Sequence, residues 1–415
     1  MLKRVLAIGS SAAVIGALLT GFLGGPATAD SGCPTASDDL DGDGSLGSPY
    51  LISSKEDLQE FKDKTSGTDY WAAGKYVEVT ANIDMGGCEW SAAIAPNTTP
   101  YFGKFDGNGF TISGLSVSDS TNAQYVGLFG YAGTGAVIEN LTFTGNVSGG
   151  PGVDYVGGLI GGAFNDSAFT NVHVSGTVSG DQYVGGLIGY ANTTGNITNS
   201  SASGDVTGTG DDVGGLLGLL QDPTVSNTFA TGNVQSGSDN VGGLVGRYAA
   251  GSIATSYANG VVTGSNRGGL VGGTSTVTAP TSYWAIDADP AVPLTTSRGG
   301  TGKTTLDLQD ISTFETGGWD IASGYDASST WGICSAVNDG FPFLTGAYSS
   351  DPCSSGAGSA GVGGSQPAAY TLTLEPAEGS TCTVASVTGP VNTWVSLPPA
   401  TSCRPIDENS PSVLL

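Results

Sequence analysis

A phrase of the form Val-Gly-Gly-Leu-apolar-Gly recurs through the middle of this chain and constrains its fold more than any other feature. A shortened copy opens at Val126, full copies open at Val156, Val184, Val213 and Val241, and a degraded copy opens at Arg267. Successive starts lie 30, 28, 29, 28 and 26 residues apart. A fixed phrase with a small drift in spacing marks a repeat whose loops absorb the difference. A unit of that length cannot bury an apolar face alone, so neighbouring units must stack into one continuous core.

A second phrase lies between the copies. Asn140–Val147 aligns with residues 171–178, 199–206, 227–234 and 255–262. One set of alternate positions reads Phe143, Val174, Ala202, Ala230, Ala258, then glycine throughout, then Val147, Val178, Val206, Val234, Val262. The interleaved set reads Thr142, His173, Ser201, Phe229, Tyr257 and then Thr144, Ser175, Ser203, Thr231, Asn259. This period-two alternation predicts a half-buried strand with the second set facing solvent. The column Asn140, Asn171, Asn199, Asn227 predicts amide ladders between coils about 4.8 Å apart. Val184, Leu187 and Ile188 cannot all face inward on a flat strand, so a bulge or corner is expected within Val-Gly-Gly-Leu. The fold class predicted is all-β: a right-handed parallel β-helix, or solenoid, with a short N-terminal capping helix and a small C-terminal β segment.

These residues resemble the GLUG-motif repeats of bacterial extracellular and surface proteins, whose pattern is close to Tyr183-Val-Gly-Gly-Leu-Ile-Gly-Tyr190 followed by Asn199–Val206. The resemblance extends to Gly47–Leu58, Phe105–Leu115, Gly300–Thr305 and Gly340–Leu344. It implies a β-helical passenger on adhesin-like surface proteins and carries over no catalytic residue. A further stretch, Gly379–Pro390 through Pro398, resembles the start of an internalin-type (Listeria–Bacteroides) β-grasp repeat that stops short after Cys403. The expected organisation is a signal peptide (1–29), an N-terminal cap with first coils (30–124), the repeat β-helix (125–287), a C-terminal cap (288–353), a Gly/Ser linker (354–368) and a small β-grasp-like segment (369–415). Ser53 and Ser54 before Glu56 and Asp57, with Leu58 and Phe61 a turn apart, predict the capping helix. Trp284, Trp319 and Trp331 are expected to plug the other end.

Lys3 and Arg4, the apolar run from Val5 to Gly25 and Ala27-Thr28-Ala29 read as a cleaved signal peptide, with membrane contact only before cleavage. The formal charge of −25 disfavours nucleic acid and anionic lipid as partners. In an exported chain the six cysteines read as disulfides, the economical pairing being Cys33–Cys88, Cys334–Cys353 and Cys382–Cys403.

Several motifs invite chemistry. Ser297-Arg-Gly-Gly-Thr-Gly-Lys-Thr304 mimics a phosphate loop, but serine stands where the first glycine is required, and a solvated loop is expected. Asp39, Asp41, Asp43 and Gly44 copy the opening of a calcium loop whose twelfth position is Tyr50 rather than Glu, so no metal site is assigned. Asp211 and Asp212 are expected in a solvated turn, and His173 on the surface. No strand-borne carboxylate cluster of the kind glycan hydrolysis uses is visible, and no cofactor is implied. The function expected is non-catalytic display or adhesion, secreted or at the cell surface, on a glycan or protein ligand. The expected contact row runs through Phe229 and Tyr257. A polysaccharide-degrading β-helix and an ice- or surface-binding solenoid are the alternatives.

Overall fold

The computed structural model describes residues 30–63, 70–119, 124–273, 275–289 and 291–354, and four short strands beyond residue 369. The chain divides into two compact units, residues 1–362 and 363–415.

The larger unit is a right-handed parallel β-helix of about 8 turns. One coil illustrates the rest: Ala168–Ser175 is followed by Val178–Gly180, Val184–Gly185 and Ile188–Thr193. Each strand pairs in parallel with its counterparts one repeat before and after. The valine column runs in register from Val147 through Val178, Val206 and Val234 to Val262, and none of the five is more than 5% exposed. The first phrase stacks likewise, Val156 on Val184 on Val213 on Val241.

The corner expected in Val-Gly-Gly-Leu is present. Val184–Gly185 and Ile188–Thr193 belong to different sheets, so Val184, Leu187 and Ile188 all reach the core and are fully buried. The glycines allow coils to close at that corner. A Cβ on Gly186 would stand 2.2 Å from the Gly215 carbonyl oxygen of the next coil, inside any permitted contact.

The asparagine column forms its ladder at two of its three steps, with His173 in place of Asn199 on Oδ1 of Asn171, and it also turns the chain. Nδ2 of Asn171 donates to Oδ1 of Asn140 at 3.0 Å, Nδ2 of Asn227 donates to Oδ1 of Asn199 at 3.0 Å, and the Thr255 hydroxyl donates to Oδ1 of Asn227 at 2.6 Å. The φ angles of Asn140, Asn171, Asn199 and Asn227 are 53, 55, 51 and 53°, a left-handed conformation that asparagine adopts more readily than other side-chain-bearing residues. The column therefore bends each coil between two faces and ties Asn140 to Asn171 and Asn199 through Asn227 to Thr255.

The N-terminal helix Lys55–Asp63 lies where predicted and buries Leu58 and Phe61 completely. The Ser54 hydroxyl accepts from the Asp57 amide at 3.1 Å, and the Asp57 carboxylate accepts from the Ser53 amide at 3.0 Å. Trp71 and Trp90 hold the helix through indole donation to the Phe61 carbonyl and to Oε1 of Gln59. The Cys33–Cys88 disulfide ties the leading segment to the long strand Ile83–Trp90.

The C-terminal end departs from two expectations. First, the Gly-rich segment after Ser297 is a solvated loop only in part: Arg298 is exposed in a bend, but Thr301–Lys303 pairs with Tyr283–Ala285 as a further rung of the solenoid. The Ser297 hydroxyl accepts from the amides of Leu270 and Val271, and Nε of Arg298 donates to the Gly273 carbonyl at 2.6 Å. Backbone groups of the preceding coil thus hold the segment in place. Second, the aromatics do not plug the axis together. Trp284 sits in the main core, but Trp319 and Trp331 belong to a second apolar cluster with Phe229, Tyr257, Tyr283 and Phe314. Two short helices, Thr305–Leu308 and Ile311–Thr316, and the strands Ile321–Ser323, Trp331–Ile333 and Phe343–Leu344 carry that cluster along the side of the coils. The Cys334–Cys353 disulfide closes this module.

In the smaller unit, Tyr370–Thr373 pairs antiparallel with Ser386–Gly389, and Trp394–Ser396 with Ser412–Leu414. The expected Cys382–Cys403 pair, the linker beyond Ser354 and the signal segment lie outside the described residues.

Gly186→Ala is expected to destabilise the larger unit by about 3 kcal/mol, because backbone of the next coil must move to admit the methyl group. Gly237→Ala, whose Cβ would meet nothing closer than 3.5 Å, is expected to change stability by less than about 0.5 kcal/mol. Urea denaturation of both variants measures the difference, and equal midpoints would contradict the close-approach argument.

Candidate ligand-binding face

The row expected to bind ligand is not on the surface. Phe229 is 3% exposed, Tyr257 is fully buried and His173 is 2% exposed. Their side chains do leave the strand on the side away from the solenoid core, as the alternation predicts, but the C-terminal module packs over them. Phe229 stacks on Tyr257 at 5.3 Å, and Tyr257 contacts Trp331 at 6.1 Å and Phe341 at 6.4 Å. The Tyr257 hydroxyl donates to the Pro342 carbonyl at 2.7 Å and accepts from Nδ2 of Asn338 at 2.6 Å. This row is the seat of the module.

His173 lies under the far end of the same module, beside Phe343, Leu344 and Tyr348. Its Nε2 is 3.1 Å from Oδ1 of Asn171 and its Nδ1 is 2.9 Å from the Ser201 hydroxyl. The amide oxygen can only accept, so Nε2 carries the proton and Nδ1 accepts from Ser201. Burial pushes the imidazole pKa down to about 4.

The acidic pair at residues 211–212 is a solvated turn at Asp211 alone, which is half-exposed in a bend. Asp212 is 3% exposed, with a φ of 64°, and binds Nε of Arg247 at 2.6 Å and Nδ2 of Asn240 at 2.7 Å. Burial raises its carboxyl pKa, and Asn240 and Arg247 oppose that shift. Asp211 accepts from the Ser238 hydroxyl and, at 2.9 Å, from the Asp239 amide. Both carboxylates are spent on joining one coil to the next. Near the N-terminus, the Asp43 carboxylate accepts from the Ser45 amide at 2.8 Å and the Asp41 carbonyl from the Leu51 amide at 2.9 Å. Among the described residues no three His, Cys, Asp or Glu side chains converge on a metal position.

An aromatic surface that the column analysis missed lies on another side of the coils. Tyr125, Tyr155 and Tyr183, each the residue before the valine of its repeat, stack along the solenoid at 4.6 and 4.9 Å. Beside them Tyr131 stacks on Phe164 at 4.4 Å, and Tyr190 meets Phe164 edge-on at 5.4 Å and Tyr155 at 5.5 Å. The separation between stacked tyrosines is the spacing of the strands that bear them. All six rings are half-exposed. Gly162 makes room for them, since a Cβ there would stand 2.6 Å from both the Phe164 and the Tyr125 rings. Partial burial, with the neighbouring hydroxyls, pushes the Tyr125 phenol up to about 12. The sequence signal was there to be read: tyrosine precedes valine in three successive copies, and Asp212, Asn240 and Asn266 take that place afterwards.

Fold and face together define an extracellular-type parallel β-helix with an exposed aromatic surface, and its disulfides fit an oxidising compartment. Within that class, residues 152–179 and 180–207 match the family described as "The GLUG motif", two consecutive coils that include Tyr155, Phe164, Tyr183 and Tyr190. The chain is 32% identical over 123 residues to a "Putative Gly-rich membrane protein" of Evansella cellulosilytica, covering 29% of this chain and 14% of that one. It is 35% identical over 144 residues to "Halomucin" of Haloquadratum walsbyi, covering 34% of this chain and 2% of that one. It therefore spans a small part of the length of these relatives. A crystal structure of "a putative immunoglobulin A1 protease from Bacteroides ovatus" superposes with a TM-score of 0.54 over 74% of this chain and 94% of that one, at 18% identity. That likeness is one of fold.

The buried His173 gives a pH dependence. Its folded pKa, about 4, lies below the ordinary value of 6.5. Below pH 6.5 the unfolded chain takes up a proton that the folded chain refuses. The contribution to stability is complete above that value and is lost progressively down to about pH 4, for a total of about 3 kcal/mol. Chemical denaturation from pH 8 to 4 should show this limb, and His173→Gln should flatten it. An unchanged slope in the variant would contradict the assignment.

Proposed function

We propose that this protein is secreted, is displayed at the cell surface, and makes adhesive contact with a glycan or protein ligand without catalysing a reaction. The observation that carries the reading is the contrast between two aromatic groups. The Phe229–Tyr257 row is sealed by the chain's own C-terminal module, whereas the six rings around Tyr155 and Phe164 stay half-exposed on a rigid sheet. Tyrosine is enriched where proteins make contact because its ring buries a large apolar area while its hydroxyl stays hydrogen-bonded. A contiguous aromatic patch left open on a soluble surface marks an interaction site.

Other features agree. The GLUG-motif coils bear four of the six rings, and the relatives include a membrane protein and a halomucin. The charge of −25 repels nucleic acids and anionic membranes, leaving uncharged or basic surfaces as partners. The acids Asp211 and Asp212 act as coil-to-coil braces, which supports contact rather than turnover.

A whole-cell binding assay with the purified mature chain tests the proposal. A Tyr155→Ser/Tyr190→Ser double variant should lose binding at least about tenfold, in keeping with the cost of removing central aromatic contacts, while retaining the parent melting temperature within a few degrees. Full binding by a folded double variant would remove this face from the reading.

A further inference from the structure

The aromatic surface does not end at Tyr131. Tyr101 pairs with Ala132, and Ala132 with Ala163, so the next residues, Phe102, Gly133 and Phe164, fall in one outward column. The Phe102 ring lies directly on Gly133, where a Cβ would stand 2.3 Å from it. Beyond Phe102, Trp71, Pro100 and Thr99 help line a groove of about 340 Å³. In the other direction the neighbouring column passes from Tyr190 through Leu219 to Arg247. One strip thus runs parallel to the solenoid axis across six coils, about 24 Å at the strand spacing, with Leu219 buried within it.

We propose that this strip binds a linear, non-acidic polysaccharide laid along the solenoid axis, with the Trp71–Phe102 groove as the subsite at one end. The inference rests on the adhesion reading above and names the ligand class. Three observations favour this occupant. The strip interleaves ring carbon with uncharged hydrogen-bonding groups, such as the Tyr190 hydroxyl on Oε1 of Gln221 at 3.1 Å, and a sugar chain likewise interleaves C–H faces with hydroxyls. Coil-to-coil pairing engages the strands under it on both sides, from Phe129–Ala132 through Ile160–Asn165 and Ile188–Thr193 to Leu217–Gln221. No free strand edge there can capture a peptide by strand addition. Arg247, the cation at one end of the strip, is held by Asp212, while Asp154 lies beside Tyr155, its carboxyl pKa raised first by burial and then by the nearby Asp181. An acidic polymer is repelled, an uncharged one is accepted, and one bearing amino groups gains from the two aspartates.

Affinity electrophoresis of the mature protein in gels containing hydroxyethyl cellulose, chitosan or polygalacturonate separates these cases. Retardation by the first two and not by the third is expected. Retardation by chitosan should weaken at 0.5 M salt, where the Debye length has shrunk to a few ångströms, and that by hydroxyethyl cellulose should persist. Phe102→Ala and Tyr190→Ser should each reduce retardation at least about tenfold in apparent affinity with an unchanged melting temperature. The ranking of the three polymers is read on the unaltered protein and does not depend on either variant folding. Equal or stronger retardation by polygalacturonate, no retardation by any polymer, or full retardation of folded strip variants would overturn the inference. If no polymer binds but the strip variants still lose cell binding, the glycan ligand falls and adhesion through this face stands. If the variants bind cells as the parent does, adhesion through this face falls as well.

Discussion

Parallel pairing of each coil with the one before and after it is the interaction on which the rest of this structure depends. Hydrogen bonds run along the solenoid axis, so a residue at one position in a repeat lies against the residue at the same position in the next. A side chain that packs once therefore has to pack again in the next coil. The Val147-to-Val262 column obeys this rule in the core and the asparagine column obeys it at the corner. The same rule stacks Tyr125, Tyr155 and Tyr183 on the outside. Core, corner and aromatic face are three consequences of a single translation.

Close stacking has a steric cost that glycine absorbs. At Gly186 a neighbouring carbonyl occupies the space a Cβ would need, and at Gly162 aromatic rings do. The first lets two coils approach at a corner, and the second lets large rings lie flat against a sheet. The repeat phrase recurs within this chain because each of its glycines meets the coil above or below.

The C-terminal module alters what the solenoid presents. A parallel β-helix offers outward-facing positions on every side, and this chain covers one side with its own residues 305–348. Phe229, Tyr257 and Tyr283 become the base of a second core instead of a contact surface. The cover reaches back as far as His173, whose desolvation couples acid titration to the integrity of that side. The side bearing Tyr131, Phe164 and Tyr190 keeps its rings half-exposed. Selective covering divides a repetitive surface into a covered side and an open one.

The sequence by itself determined the solenoid, its repeat length, the inward valine column, the asparagine column and the corner after Val184, and it made the two described disulfides the economical pairing. All of these follow from periodicity, or from the local needs of residues such as Val184, Asn199 and Cys33. It also held the tyrosine-before-valine pattern at Tyr125, Tyr155 and Tyr183. Only the tertiary structure decided which outward rows meet solvent. Alternation along a strand fixes whether Phe229 points toward or away from its own core, but not whether a segment about 100 residues later returns to lie on it. Asp212 shows the same limit, since its burial depends on Asn240 and Arg247 from the next coil. Exposure is a property of the assembled surface, and a repeat describes only the unit from which that surface is built.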